Sequence, residues 1–149
     1  MSWGISSYGI SSWGGADFVV INQFPPDDSV GAARLTTISF TLSSLGSDID
    51  VSSINLTANG IDLIINGVFT SNATGSIDDT NLLSVNVIAT VTHAFAPLTL
   101  VSIVVEALND TGGSPVSGDS WNFTVDSTAY SFLTYIVNNF ERILKVDTD

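Results

Sequence analysis

Leu98–Val125, LTLVSIVVEALNDTGGSPVSGDSWNFTV, decides the fold. It reads as two antiparallel strands joined by one long turn. Along the first run Val101, Ile103, Val105 and Ala107 share one face, and Ser102, Val104 and Glu106 share the other. Side chains of a strand alternate between faces, so the first set suits a core and the Glu106 face suits water. Asn109, Asp110, Gly112 and Gly113 then interrupt the run, as residues that tolerate turn dihedrals do. Trp121, Phe123 and Val125 resume the period of two, with Asn122 and Thr124 opposite.

Working outward, the same alternation recurs upstream. Residues 17–24, DFVVINQF, read as a first strand, ended by Pro25 and Pro26, which cannot donate to a ladder. Residues 27–34 read as a loop. Thr36–Leu42 is a strand with Ile38, Phe40 and Leu42 on its core face. Residues 46–51 read as a turn holding Asp48 and Asp50, and Ile54, Leu56 and Ala58 mark the next strand. Asn59-Gly60 and Asn66-Gly67 are tight-turn signals around short strands at 61–65 and 68–70. Residues 71–81 are polar and read as loop. Leu83, Val85, Val87, Ala89 and Val91 then trace one face of a long strand ending near Pro97. Roughly seven to nine short strands at this spacing imply an antiparallel β-sandwich. The expected core includes Phe40, Leu56, Val87, Ile103, Val105 and Phe123.

The alternating strand, the Asn-Asp-Thr-Gly-Gly turn and the Trp-x-Phe-Thr-Val run resemble the last two strands of bacterial and phage immunoglobulin-like domains. FPPDDSVGAARLTTISFTLSSLGSDIDVSSINLTANG, residues 24–60, resembles their opening strands. The resemblance covers residues 18–127 and implies an all-β, Ig-like antiparallel sandwich. It implies no activity, because this fold serves many functions. With no Cys in the chain, the inter-sheet disulfide of antibody domains is absent.

Composition narrows the function classes. A chain of 149 residues with 44% hydrophobic residues can bury a core and is not disordered by composition. Three Lys plus Arg against 15 Asp plus Glu give a formal charge of −12, which argues against nucleic acid and against an anionic membrane surface. No secretory signal and no long apolar run are visible. The sequons at Asn55, Asn72, Asn109 and Asn122 are those expected by chance in a chain rich in Asn and Thr.

Two segments flank the sandwich. In residues 1–17, Trp3, Tyr8 and Trp13 recur five apart, each followed by Gly. That spacing matches neither helix nor strand and reads as an irregular arm with aromatic anchors. Short Trp-Gly and Tyr-Gly repeats of this kind resemble the starts of small structural proteins of tailed-phage particles. In residues 128–149, Leu133, Ile136, Val137, Phe140, Ile143 and Leu144 recur at amphipathic-helix spacing. The β-branched and aromatic residues of 130–137 equally suit an extra strand, and both readings stay open. Trp3, Tyr8, Trp13, Leu133, Ile136, Val137, Phe140 and Leu144 are the expected partner-binding residues.

Chemistry is thinly represented. His93 is the only histidine and falls near a strand end without a motif that supplies a nucleophile. GDSW at 118–121 echoes a hydrolase nucleophile block, but no His-Asp pair accompanies it and it reads as a turn. Asp48 with Asp50, Asp78 with Asp79, and Asp110 with Asp119 are the loop carboxylates a calcium ion would use. They read instead as turn-formers, and no metal or other cofactor is expected. Taken with the resemblances, the expected function is a non-enzymatic structural protein of a phage particle, in capsid decoration, neck, tail or baseplate. Its expected partners are other virion structural proteins in a homo-oligomeric or multi-copy assembly, with no nucleic acid and no membrane. The expected location is the virion, after synthesis in the host cytoplasm. The alternative is an extracellular adhesin module that binds carbohydrate or a host surface.

Overall fold

The computed structural model describes residues 18–109 and 117–127. The ten strands are β1 (Phe18–Phe24), β2 (Ser29–Ala32), β3 (Thr37–Ser44), β4 (Ile49–Ala58), β5 (Ile61–Ile65), β6 (Val68–Phe69), β7 (Ala73–Asp78), β8 (Ser84–Val91), β9 (Leu100–Asn109) and β10 (Ser117–Val125). They form a four-stranded sheet, β1-β3-β8-β7, and a six-stranded sheet, β2-β10-β9-β4-β5-β6. Every pairing is antiparallel except β10 with β2, which is parallel. This is an all-β, immunoglobulin-like sandwich. The extension of the larger sheet beyond β4 by β5 and β6 is the variable-type arrangement of that fold.

Alternation builds the core as the sequence implies. Val101, Ile103, Val105 and Ala107 of β9 and Trp121, Phe123 and Val125 of β10 are buried, facing Ile38, Phe40 and Leu42 of β3 and Val85, Val87 and Ala89 of β8. Phe40 meets Trp121 edge to face at 5.7 Å between ring centroids. Antibody domains place their buried tryptophan on the third strand against a disulfide; here it is on the last strand, against Phe40. A buried indole needs a partner for its N–H. Trp121 Nε1 donates to the Pro25 carbonyl at 3.0 Å. The same crossing between sheets is fastened by Asp28 N–H to the Asn122 carbonyl at 2.8 Å and Asn122 N–H to Asp27 Oδ1 at 2.9 Å.

Both Asn-Gly pairs turn as expected. Asn59 and Gly60 have φ of 51° and 74°, Asn66 and Gly67 of 49° and 72°, the left-handed values of a tight hairpin turn. Several expectations are corrected. The 27–34 loop contains β2, held by parallel pairing of Ser29 with Phe123 and Val30 with Thr124. The polar 71–81 loop contains β7, paired with β8 from Ala73↔Val91 to Asp78↔Asn86. Neither strand carries an apolar alternation, so backbone pairing with a neighbour creates them. The turn at 46–51 ends early, because β4 begins at Ile49 and takes in Asp50 and Val51. GDSW is not a turn but part of β10, with Gly118 opposite Glu106 and Trp121 opposite Ile103. β8 stops at Val91, so His93 and Phe95 lie in the connection to β9, and Leu83 is exposed ahead of the strand.

Candidate functional site

The sheets part at the pole formed by the β4–β5 turn, the 70–72 segment and the β8–β9 connection. A cleft of about 300 Å³ opens there between Ala58, Ile61 and Leu63 of the six-stranded sheet and Val91, His93 and Phe95 on the other side. Ala58, Leu63 and Val91 are buried and form an apolar floor. Asn72 completes the rim.

Each wall is tied down. Phe95 N–H donates to the Arg34 carbonyl at 2.9 Å, and Arg34 Nε donates back to the Phe95 carbonyl at 2.8 Å. The Phe95 ring lies edge-on to Phe123 at 6.3 Å. Opposite, Asn72 Nδ2 donates to the Asp62 carbonyl at 3.0 Å, and Thr92 N–H donates to the Asn72 carbonyl at 2.9 Å. Asn59 clips the turn to β9: its Oδ1 accepts from Ser102 N–H at 2.8 Å, and its own N–H donates to the Ser102 carbonyl at 2.8 Å.

Hydrogen bonds also join the polar groups of the rim. Thr92 Oγ1 donates to the Ser71 carbonyl at 2.9 Å. It also lies 3.0 Å from His93 Nδ1. A hydroxyl has one proton, and a carbonyl can only accept. With a proton on Nδ1, Thr92 would accept from His93 while donating to Ser71. Asn72 gives one of its two N–H donors to the Asp62 carbonyl and keeps the other beside Oδ1. Asn72 and His93 are thus the polar side chains of the rim.

Other depressions also occur among the described residues. A groove of about 440 Å³ runs along the crossing from β1 to β2, lined by Phe24, Pro26, Val30 and Leu35. Ser29 Oγ is buried there without a hydrogen-bond partner. At the opposite pole a depression of about 290 Å³ brings Asp48, Asp50 and Asp79 together with Ile49 and Leu82. Asp50 Oδ1 is occupied by the Ser52 N–H and hydroxyl at 3.0 Å and 2.6 Å. Asp78 turns to Thr80 instead: the Thr80 hydroxyl, and then its N–H, hold the carboxyl below the ordinary aspartate value. Asp119 is in β10 and accepts from Ser120 N–H, apart from that depression. Asp110 lies outside the described residues, and among those described no three His, Asp or Glu side chains are grouped to hold a metal ion. Trp3, Tyr8, Trp13, Leu133, Ile136, Val137, Phe140 and Leu144 also lie outside the described residues.

No family model and no curated protein matches the chain. Solved structures do. CopC from Methylosinus trichosporium OB3b aligns with a TM-score of 0.48 at 14% identity, over 77% of this chain and 99% of its own. PcoC, a methionine-rich copper resistance protein from Escherichia coli, aligns with a TM-score of 0.44 at 15% identity, over 74% of this chain and 100% of its own. The expectations of a phage-particle function, of tail or capsid roles and of a virion location are corrected by these likenesses, since the similar structures are CopC and the copper resistance protein PcoC. At these scores the likeness carries no copper function and no location to this chain. Copper sites draw on imidazole, thiolate and thioether, and the chain has one His, one Met and no Cys.

Proposed function

We propose that this chain is a non-catalytic recognition module, an immunoglobulin-like sandwich that holds a partner molecule at the open pole between its sheets and leaves it chemically unchanged. The apolar floor of Ala58, Leu63 and Val91 beneath a rim of Asn72, His93 and Phe95 carries this reading. Imidazole and hydroxyl stand 3.0 Å apart, as a base and nucleophile would. Thr92 Oγ1 is shared between His93 Nδ1 and the Ser71 carbonyl, 2.9 Å away. These contacts position the imidazole at the rim. The apolar floor with a few fixed polar groups above it is the usual composition of a ligand site. The bacterial immunoglobulin-like family suggested by the last two strands belongs to the same proposal.

The test is a melting screen of the full chain with small organic compounds, followed by recovery of each hit. Ligands that bind the folded state raise the midpoint, and they are expected back intact. Conversion of an ester, peptide or glycoside that disappears in His93→Ala would overturn the reading.

A further inference from the structure

Away from the cleft, we propose that β1 is an interaction edge. It pairs antiparallel with β1 of a second copy of this chain, about a two-fold axis through Val19, and joins the two four-stranded sheets into one. Among the described residues the edge strands are β1, β7, β2 and β6. An edge offers unpaired N–H and C=O groups, and proteins guard it with charge, Pro, bulges or shortness. β6 has only two residues, β2 has four with Gly31 at φ 84° and two aspartates before it, and β7 ends on Asp78. β1, FVVINQF, is seven residues long without a charge. Its register shifts only after Ile21. Phe18 to Ile21 is thus a regular, unguarded template.

The ladder shows which groups face out. Ser44 N–H donates to the Leu83 carbonyl at 2.9 Å and Val91 N–H to the Thr36 carbonyl at 3.2 Å, so even-numbered residues of β3 bond toward β8. Odd-numbered ones bond toward β1, through Val19↔Ser43 and Ile21↔Thr41. Phe18 and Val20 therefore send their main-chain groups out of the sheet. Gln23 Nε2 donates to the Val20 carbonyl at 3.2 Å, a side chain standing where a strand would. This edge is self-complementary. With Val19 on the axis, Phe18 faces Val20 of the second copy and Val20 faces its Phe18, each pair exchanging N–H and C=O. The Val19 side chains, 48% exposed, meet at the closer, non-hydrogen-bonded spacing of about 4.5 Å between Cα atoms. Charge favours the same occupant. Two chains of −12 repel wherever carboxylates meet. β1, β3 and β8 carry none, whereas Asp62 and Glu106 stand on the other sheet. A second copy can approach on the uncharged side. The paired edge is far smaller than a standard interface of about 1,600 Å², so the dimer is weak and reversible.

The experiment follows the full chain, Val19→Lys and Val19→Glu by analytical ultracentrifugation over a concentration series up to about 1 mM. The natural protein should pass from monomer to dimer. Added salt should favour the dimer, because it screens two like-charged copies. Amide exchange at Phe18 and Val20 should slow as concentration rises, while Val19 and Ile21, already bonded to β3, should not change. Each variant alone should stay monomeric, since like charges would face each other across the axis. Mixed in equal amounts the two should pair, since lysine then meets glutamate. Val19 is half exposed, so dilute melts of the variants should match the natural protein. The exchange measurement needs no variant and decides the matter even where a substitution unsettles the fold. A natural protein that stays monomeric, a dimer that both variants keep, or a dimer that leaves Phe18 and Val20 exchange unchanged overturns the proposal. Failure of the mixture to pair removes the two-fold register through Val19, and the proposal with it. Protection of Phe18 and Val20 that does not depend on concentration would assign the edge to the chain's own residues, and a dimer weakened by salt would mean that opposite charges meet; either result overturns it.

Discussion

The β9–β10 hairpin and the strands β2 and β7 are made of the same backbone by opposite routes. In the hairpin the side chains decide: alternate residues are apolar from Val101 to Ala107 and from Trp121 to Val125, and these seven are buried. In β2 and β7 the neighbours decide. SVGA and ATGSID expose most of their residues and take their register from β10 and β8. Central strands of a sandwich are therefore written in their own sequence, while marginal strands are written in that of their partners. β7 matters all the more because it delivers Ser71 and Asn72 to Thr92 and His93.

The largest effect should come from the hairpin. Phe123→Ala or Ile103→Ala removes a fully buried side chain and should lower stability by about 2–5 kcal/mol in denaturant unfolding. An unchanged midpoint in both would mean the alternation does not face the core. Next comes the margin. A Cβ on Gly75 would stand 1.8 Å from the Ile88 carbonyl oxygen, so Gly75→Ala must push β7 off β8. About 1–3 kcal/mol is expected, with faster amide exchange along β7 and β8 only. Equal acceleration in β9 and β10 would erase the distinction between the two kinds of strand.

Gly60→Ala separates backbone conformation from contact. A Cβ there meets nothing within 4 Å, but φ is +74°. The left-handed conformation alone should cost about 1–2 kcal/mol, read as a lower melting midpoint with the core signals unmoved. Asp78, at the end of β7, should give the smallest effect. Its carboxyl titrates below the ordinary aspartate value because Thr80 bonds the charged form. A depressed folded-state value stabilises above the unfolded value and loses that contribution as pH falls through the folded one. Asp78→Asn should therefore slightly lower stability near neutrality, leave it unchanged in acid, and so flatten the acid limb of a stability profile. An equal loss persisting in acid would point to a role beyond the charged turn.

How much of this was legible follows from the same division. Ile38, Phe40 and Leu42, or Val85, Val87 and Ala89, announce their strands by period alone, and Asn59-Gly60 and Asn66-Gly67 announce their turns. Ser29–Ala32 does not, since Gly31 and Ala32 carry no pattern to see. The cleft was legible only in part. His93 stood out as the one imidazole, but its bond to Thr92, and the bond of Thr92 to Ser71, require the β7–β8 pairing that the polar stretch conceals. GDSW misled for a related reason: a polar run before Trp121 looks like a turn, yet Ser117 to Ser120 pair with Ala107 to Val104.

The parallel pairing of β2 with β10 bears on how the molecule carries mechanical load. Phe18 lies opposite Ser44 at one pole, while Val125 hydrogen-bonds to Thr99 at the other. Tension applied through these two positions runs along the strand axes. The β2–β10 hydrogen bonds would then be sheared together instead of unzipped one after another, and Trp121, bonded to the Pro25 carbonyl, would add a bolt across the same seam. The sandwich is thus built to hold under stretch along its length, and in single-molecule pulling Trp121→Phe should part at lower force than the natural protein.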